Sequence, residues 1–229
     1  MVAPDVIRMA RDFHGHVCPF LVLGLRASEI ALSKMGLRRA GVAESIREDV
    51  IAIVENNSCF ADGVQVATGC TLGNNSLIYL DVGKTAVSLF RRGERRGVRV
   101  YVDGEAVLGE HLSPEARELF QKVVVERRGT REEAERLHRL WSEIGLKMAD
   151  LPEEKFVVQE VWLESELEWA PIFPSVRCSV CGEKLWAPRA VYVDGRPVCL
   201  QCAGREALAV VGRGISQLRV PFRVVRRWE

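Results

Sequence analysis

The sequence predicts an α+β fold: a mixed β-sheet flanked by helices, with a small C-terminal module attached. Three observations predict it. Helix-like and strand-like segments mix along the first 168 residues without strict alternation. A chain of 229 residues has room for one standard domain and a small second one. Two Cys-x-x-Cys pairs are confined to the last quarter of the chain.

The elements follow in order. Residues 4–11 read as a short helix with Pro4 in its first turn, running into the loop DFHGHVCP. Pro19 opens a second helix that ends at about Met35 with Gly36 as its stop; FLVLGLRASEIAL is apolar on most sides, as a buried helix is. VIAIVE, 50–55, is short and β-branched, the pattern of an interior strand. Asn57 or Ser58 then caps a helix carrying CFADGVQVAT, stopped by Gly69. LIYL (77–80), AVSLF (86–90) and VRVYV (98–102) read as strands separated by turn residues.

From Ser113, SPEARELFQKVVVERR has proline at the first helical position and a stripe of Ala116, Leu119, Phe120, Val123 and Val124. A helix from Thr130 to about Lys147 aligns Ala134, Leu137, Trp141, Ile144 and Met148, a seam for packing on the sheet or for a dimer. KFVVQEVWLE, 155–164, alternates like a strand that returns to the sheet. The proline-bearing WAPIFPS, 169–175, reads as a linker between a body of residues 1–168 and a module of residues 176–229.

Composition excludes several classes. Apolar residues are 48% and charged residues 28% of the chain, against disorder and against a membrane protein. The apolar runs fall short of the roughly 20 residues that cross a bilayer. MVAPDVIRMARDFHGH has acids and an early proline where an export signal has a basic start and an apolar block, so a reducing cytoplasm is expected. Seven cysteines there read as metal ligands or reactive thiols. The net charge of +1 hides an asymmetry: ten basic and four acidic side chains over residues 173–229 give +6, leaving −5 before them. The basic end fits nucleic acid, a solvated surface, or docking to an acidic face.

Cys178 and Cys181, then Cys199 and Cys202, form two pairs separated by 17 residues. Four thiolates at this spacing satisfy a tetrahedral structural Zn²⁺ and leave no open position. RAVYVDGRPVC between them is a hairpin turning at Asp194-Gly195, and LQCAGREALAVV is expected to be a helix bearing the last ligands, which together describe a treble clef. VDG at 102–104 is read as the same hairpin chemistry. RVPFRVVRRW, near the end, partly alternates as an edge strand does.

A second constellation lies near the start. His14, His16 and Cys18 alternate, so extended backbone puts all three on one side. Cys18 precedes a helix start and Cys59 sits in the first turn of another, where the helix dipole favours thiolate. Asp62 shares the helix face of Cys59. His16, Cys18 and Cys59 are therefore candidate ligands of a second divalent ion, zinc or a similar metal, with an open position. His14 is a fourth ligand or a base, and Asp62 orients a ligand or water or moves the proton. Cys70, in TGCTLGNN, is a further candidate catalytic thiol or a packed loop cysteine. No GxGxxG, P-loop or local redox Cys-x-x-Cys accompanies them.

FHGHVCPFLVLGLRAS and VENNSCFADGVQVATGCTLGNNSLIYLDVGK closely resemble the FmdE-like family, named for a component of formylmethanofuran dehydrogenase. CSVCGEKLWAPRAVYVDGRPVCLQCAG resembles the treble-clef appendage of many members. The resemblance implies an α+β core, often dimeric, with a metal-linked site where the two motifs meet. It also implies association with molybdenum or tungsten formylmethanofuran dehydrogenase, in methanogenesis and related one-carbon metabolism. Relatives tend to have Pro-Gly where this chain has Pro19-Phe20, which narrows the space near Cys18. Their Gly-Lys-Gly-Asn stretch is here Gly73-Asn74-Asn75-Ser76; Lys84 remains. Three readings follow: a metal-binding accessory protein, a metal-dependent enzyme, or a nucleic-acid or protein adaptor working through the basic finger.

Overall fold

The computed structural model describes residues 1–222 and divides them into two compact units, the first Met1–Glu168 and the second beginning at Trp169. In the first, β1 (Val50–Val54), β2 (Leu77–Tyr79), β3 (Ala86–Arg91), β4 (Arg96–Tyr101) and β5 (Val157–Trp162) form one sheet in the order β2-β1-β3-β4-β5. Only β1 and β2 run parallel, so the sheet is mixed. VIAIV is interior as its composition demands, paired with β2 through Ala52↔Leu77 and with β3 through Ala52↔Leu89.

Helix α1 (Pro4–His14) is longer than the sequence suggests: Asp12 to His14 belong to its last turn, and Gly15 ends it in the left-handed conformation. Helix α2 (Pro19–Met35) starts and stops where Pro19 and Gly36 dictate, and eleven of its residues are buried. Helix α4 (Cys59–Thr68), after the short α3 (Val42–Ile46), is capped by the Ser58 hydroxyl, which accepts from the Phe60 N–H. α2 and α4 cross in intimate contact. A Cβ on Gly24 would lie 2.2 Å from the Phe60 carbonyl oxygen, and one on Gly63 would lie 2.2 Å from that of Leu21.

VDG at 102–104 makes no hairpin. Asp103 accepts from the Ala106 N–H and caps α5 (Gly104–His111), a helix the sequence does not announce. The run from Ser113 forms α6 (Pro114–Phe120) and then one π-helical turn, Gln121–Val125. α7 (Arg131–Met148) begins in a Thr130–Glu133 capping box. Its apolar seam neither lies on the sheet nor stays bare: α7 packs on α2 and α6, burying Leu137, Ile144 and Met148.

The second unit is built of hairpins: β6 (Ser175–Arg177) with β7 (Lys184–Trp186), β8 (Ala190–Val193) with β9 (Arg196–Cys199), and β10 (Glu206–Val211) with β11 (Gly214–Arg219). The Asp194-Gly195 turn is as expected, with φ of +48° and +72°. The helix expected after Cys199 is absent; residues 201–204 turn and β10 follows. Leu208 and Val210 alternate with Ala207 and Ala209, a period of two that suits a strand. Of the tail read as an edge strand, Arg219 ends β11, and residues 223–229 lie outside the described residues. Among the described residues no helix is long and apolar enough to cross a membrane.

Candidate metal centre and cavity

The Gly24–Gly63 crossing sets the N-termini of α2 and α4 side by side, and each carries a cysteine: Cys18 is the cap residue of α2 and Cys59 the first residue of α4. α7 fixes the approach from the other side. Ser142 donates to the Val17 carbonyl at 3.3 Å, and a Cβ on Gly145 would stand 3.0 Å from the Cys18 carbonyl carbon. The left-handed Gly15 turns the chain off the end of α1, so His14, His16 and Cys18 converge although His14 is helical, His16 lies in a bend and only Cys18 is extended.

One ligand atom each from His14, His16 and Cys18 lies within 4.8 Å of the others, a spread compatible with bonds of roughly 2.0–2.3 Å to one ion. Cys59 joins them through Cys18 and His14. Cys18 donates its hydrogen to the Cys59 sulfur; that bond and burial push the Cys18 thiol far up, and the same bond, helped by His14 and opposed by burial, pulls Cys59 down to about 6. His14 and His16 stack with ring centroids 4.5 Å apart. Burial first, and the neighbouring His14 and His138 next, hold the His16 imidazole below its usual value, in the neutral form that ligates.

His14, a candidate base in the sequence, has a different setting. Its Nδ1 is 2.7 Å from Asp62 Oδ2, while Asp62 Oδ1 accepts from Gln65 at 3.1 Å. Its Nε2 is buried and, among the described residues, makes no hydrogen bond of ordinary geometry, while the ring lies near enough to the Cys59 sulfur to help lower that thiol. A carboxylate on one ring nitrogen and an orphaned lone pair on the other is the arrangement of an oriented metal ligand.

Cys70 does not belong to this group. It is wholly buried, its thiol donates to the Val50 carbonyl at 3.3 Å, and burial pushes it up to about 11. Val50 begins β1 and Cys59 follows its end, so the strand's length separates the two thiols. Its burial fits the packed loop cysteine rather than the catalytic thiol of the two sequence readings. Asn74, in the stretch that departs from relatives, is a loop fastener: its amide donates to Ser45 and Gly69, and its oxygen accepts from Thr71 and Ser76.

The cluster floors a cavity of about 1270 Å³. His16, Cys18 and Cys59 line its base; Leu108 of α5 and Leu112 just after it, Phe120 and Val124 of α6 and the π turn, and Leu137 and Trp141 of α7 wall it with hydrocarbon. Phe20 lines the cavity, its ring lying where a Cβ on Gly104 would come within 2.6 Å. His138 is a residue the sequence does not single out. It is exposed on α7, lines the cavity, and presents its ring to His16 edge-on at 6.2 Å. No local motif marks it; α7 packing alone brings it there.

In the second unit the ligand atoms of Cys178, Cys181, Cys199 and Cys202 lie within 4.8 Å of one another. The N–H of Cys199 donates to the Cys178 sulfur at 3.3 Å and that of Cys202 to the Cys199 sulfur at 3.4 Å. Backbone N–H groups, that of Cys181 foremost, bring Cys178 down to about 6. This set matches a structural zinc site.

Comparison with known proteins agrees with both halves. The family model described as FmdE, molybdenum formylmethanofuran dehydrogenase operon, matches residues 13–158. The prokaryotic dksA/traR C4-type zinc finger model matches residues 171–206. A protein of Archaeoglobus fulgidus named probable S-adenosyl-L-methionine-binding protein is 54% identical over 94% of this chain, which spans 57% of that relative's length. The crystal structure of a tungsten formylmethanofuran dehydrogenase FmdE-like protein from Syntrophus aciditrophicus is 25% identical, with a TM-score of 0.55 over 87% of this chain and 91% of that one.

Proposed function

The chain belongs to the FmdE family, and from that membership and its histidine–cysteine cluster we propose that it is a metal-binding accessory protein. One divalent ion, zinc or a metal of similar softness, is held in the first unit by His14, His16, Cys18 and Cys59, and a second, structural zinc by the four cysteines of the finger. The observation that carries the first site is the buried Nε2 of His14, which has no hydrogen-bond partner of ordinary geometry among the described residues and whose companion nitrogen is taken by Asp62. A buried acceptor left unmade costs about 1–3 kcal/mol, and a cation removes that cost.

Such an ion supplies Lewis acidity at the floor of the cavity. The protein's own groups do the rest. Asp62 fixes the His14 ring, the apolar walls keep bulk water from the floor, and exposed His138 accepts or releases a proton at its free ring nitrogen near His16. The family's name supplies the setting of this reading: support of a molybdenum or tungsten formylmethanofuran dehydrogenase in cytoplasmic one-carbon metabolism, as a homodimer or beside that enzyme's own chains.

Elemental analysis of the purified chain beside Cys59→Ser tests it. About two ions per chain, falling to about one in a folded Cys59→Ser variant, is the expected result. One ion per chain, lost only with Cys178→Ser, would leave the adaptor reading, in which the basic finger binds nucleic acid or protein in a salt-dependent way.

A further inference from the structure

The cavity above the cluster has walls far more apolar than a water-filled metal site requires. Its volume of about 1270 Å³ exceeds the roughly 300–1,000 Å³ of ordinary small-molecule sites. Among the described residues one permanent cation lines it. Arg117, exposed on α6, has no hydrogen bond or ion pair to its guanidinium among the described residues. Of the neighbouring arginines, Arg136 grips Glu115 and Arg131 holds Glu135, while Arg139 lines the adjacent clefts and not this cavity. Glu118 shares the wall with Arg117 but makes no ion pair with it, and also lines a separate acidic cleft with Glu115, Glu132 and Glu133.

We propose that this cavity binds an organic monoanion with a bulky apolar body, its acid group on Arg117 and its body between Phe20, Leu137 and Trp141, above the cluster. The charge of the occupant follows from Arg117, because a planar guanidinium with all its donors free takes a carboxylate in two parallel hydrogen bonds. Its apolar body follows from the walls, since burying hydrocarbon against them removes both surfaces from water. The π-helical turn that adds Gln121 and Val124 to the lining is a local irregularity of the kind that recurs at functional sites. The proposal deepens the metal reading by naming the ligand class, and rests on it only for what lies at the floor.

The test uses the full chain and three fluorescent probes sharing one body: 1-pyrenebutyrate, 1-pyrenebutanol and 1-pyrenebutylamine. Pyrenebutyrate is expected to bind saturably at one site per chain, at least tenfold tighter than the alcohol, with the amine weakest. Arg117→Gln is expected to bring the acid down to the alcohol. Ala134→Trp, and independently Val124→Trp, fill the cavity and are expected to weaken all three, with circular dichroism confirming the fold. Equal affinity of acid and alcohol, or an acid affinity unmoved by Arg117→Gln, would overturn the anion assignment. Binding indifferent to both tryptophan variants would place it outside the cavity and overturn the site. Repeating the titration on chelator-treated protein separates the two readings. Probe binding that survives chelation, to a chain whose elemental analysis before chelation shows only the finger's ion, leaves this site standing while the metal centre falls, and a second ion with no probe binding does the reverse.

Discussion

Asp62 Oδ2 lies 2.7 Å from His14 Nδ1, across 48 residues of sequence, and this bond decides which nitrogen of His14 faces the cysteines. The first residue of the pair is three positions into α4 and the second ends α1, so two separate helices must be in register to make it. Replacing Asp62 by Asn keeps the volume and an acceptor but removes the carboxylate that holds the ring in place through Nδ1. A 10–100-fold loss of affinity for the metal of the first unit is expected, with the finger's ion retained. Competition against a chromogenic chelator measures it. An affinity unchanged in Asp62→Asn would remove His14 from the ligand set.

The crossing of α2 and α4 is what brings Cys18 and Cys59 together, and its tightness has a cost if disturbed. At Gly24 a methyl group would overlap the Phe60 carbonyl at 2.2 Å, an obstacle made of backbone that cannot rotate away. Gly24→Ala is expected to lower stability by about 1–3 kcal/mol in denaturant unfolding, the usual range for overpacking. Because the helices part at their cysteine-bearing ends, affinity for the first metal should fall as well. A variant that loses stability but keeps full metal affinity would show that the loop 15–18, pinned by α7, positions the ligands alone.

Much of this was readable along the chain because its signals are local. Pro19 and Gly36 bound α2, and Ser58 and Gly69 bound α4, each through its own backbone or hydroxyl chemistry. What escaped depends on neighbours. Val-Asp-Gly occurs twice; in 193–195 Asp194 has φ +48° and turns a hairpin, whereas Asp103 has φ −76° and caps α5. The aromatic ring of Phe20 lying against Gly104 belongs to that second environment, and no three-residue pattern contains it. His138 is the same case at the site: 122 positions after His16, it enters only because α7 packs on α2. The treble-clef helix failed for a different reason, since the alternation of apolar residues in 206–211 favours a strand over the helix that the second cysteine pair suggested.

Cys70 gives a prediction with a definite sign. Its thiol is raised to about 11 by burial, so the folded state favours the protonated form. At pH 8, three units lower, thiolate is on the order of 0.1% of the total, and the sulfur is closed to reagents. Iodoacetamide applied to chelator-treated native protein at pH 8 should therefore leave Cys70 unmodified while Cys59 is alkylated. Cys70 should label only in denaturant. Peptide mass spectrometry reads both sites, and rapid native labelling of Cys70 would mean that the loop after Gly69 opens.

The finger's stability should depend on its ion in a way the first unit's does not. Among the described residues from 169 onward few hydrophobic positions are buried, Cys178 and Val198 being the two, whereas the first unit holds a continuous core around Leu21, Phe60 and Leu89. A module with so little core folds on the free energy of metal binding. Calorimetry of the whole chain is expected to show two transitions, of which strong chelation abolishes the smaller. Cys202→Ser should do the same without chelator, because three thiolates leave the tetrahedral site incomplete. Limited proteolysis then locates the loss: cuts confined to residues after 169 support it, and a finger that resists protease after both treatments would show that the hairpins β6 to β11 hold without metal.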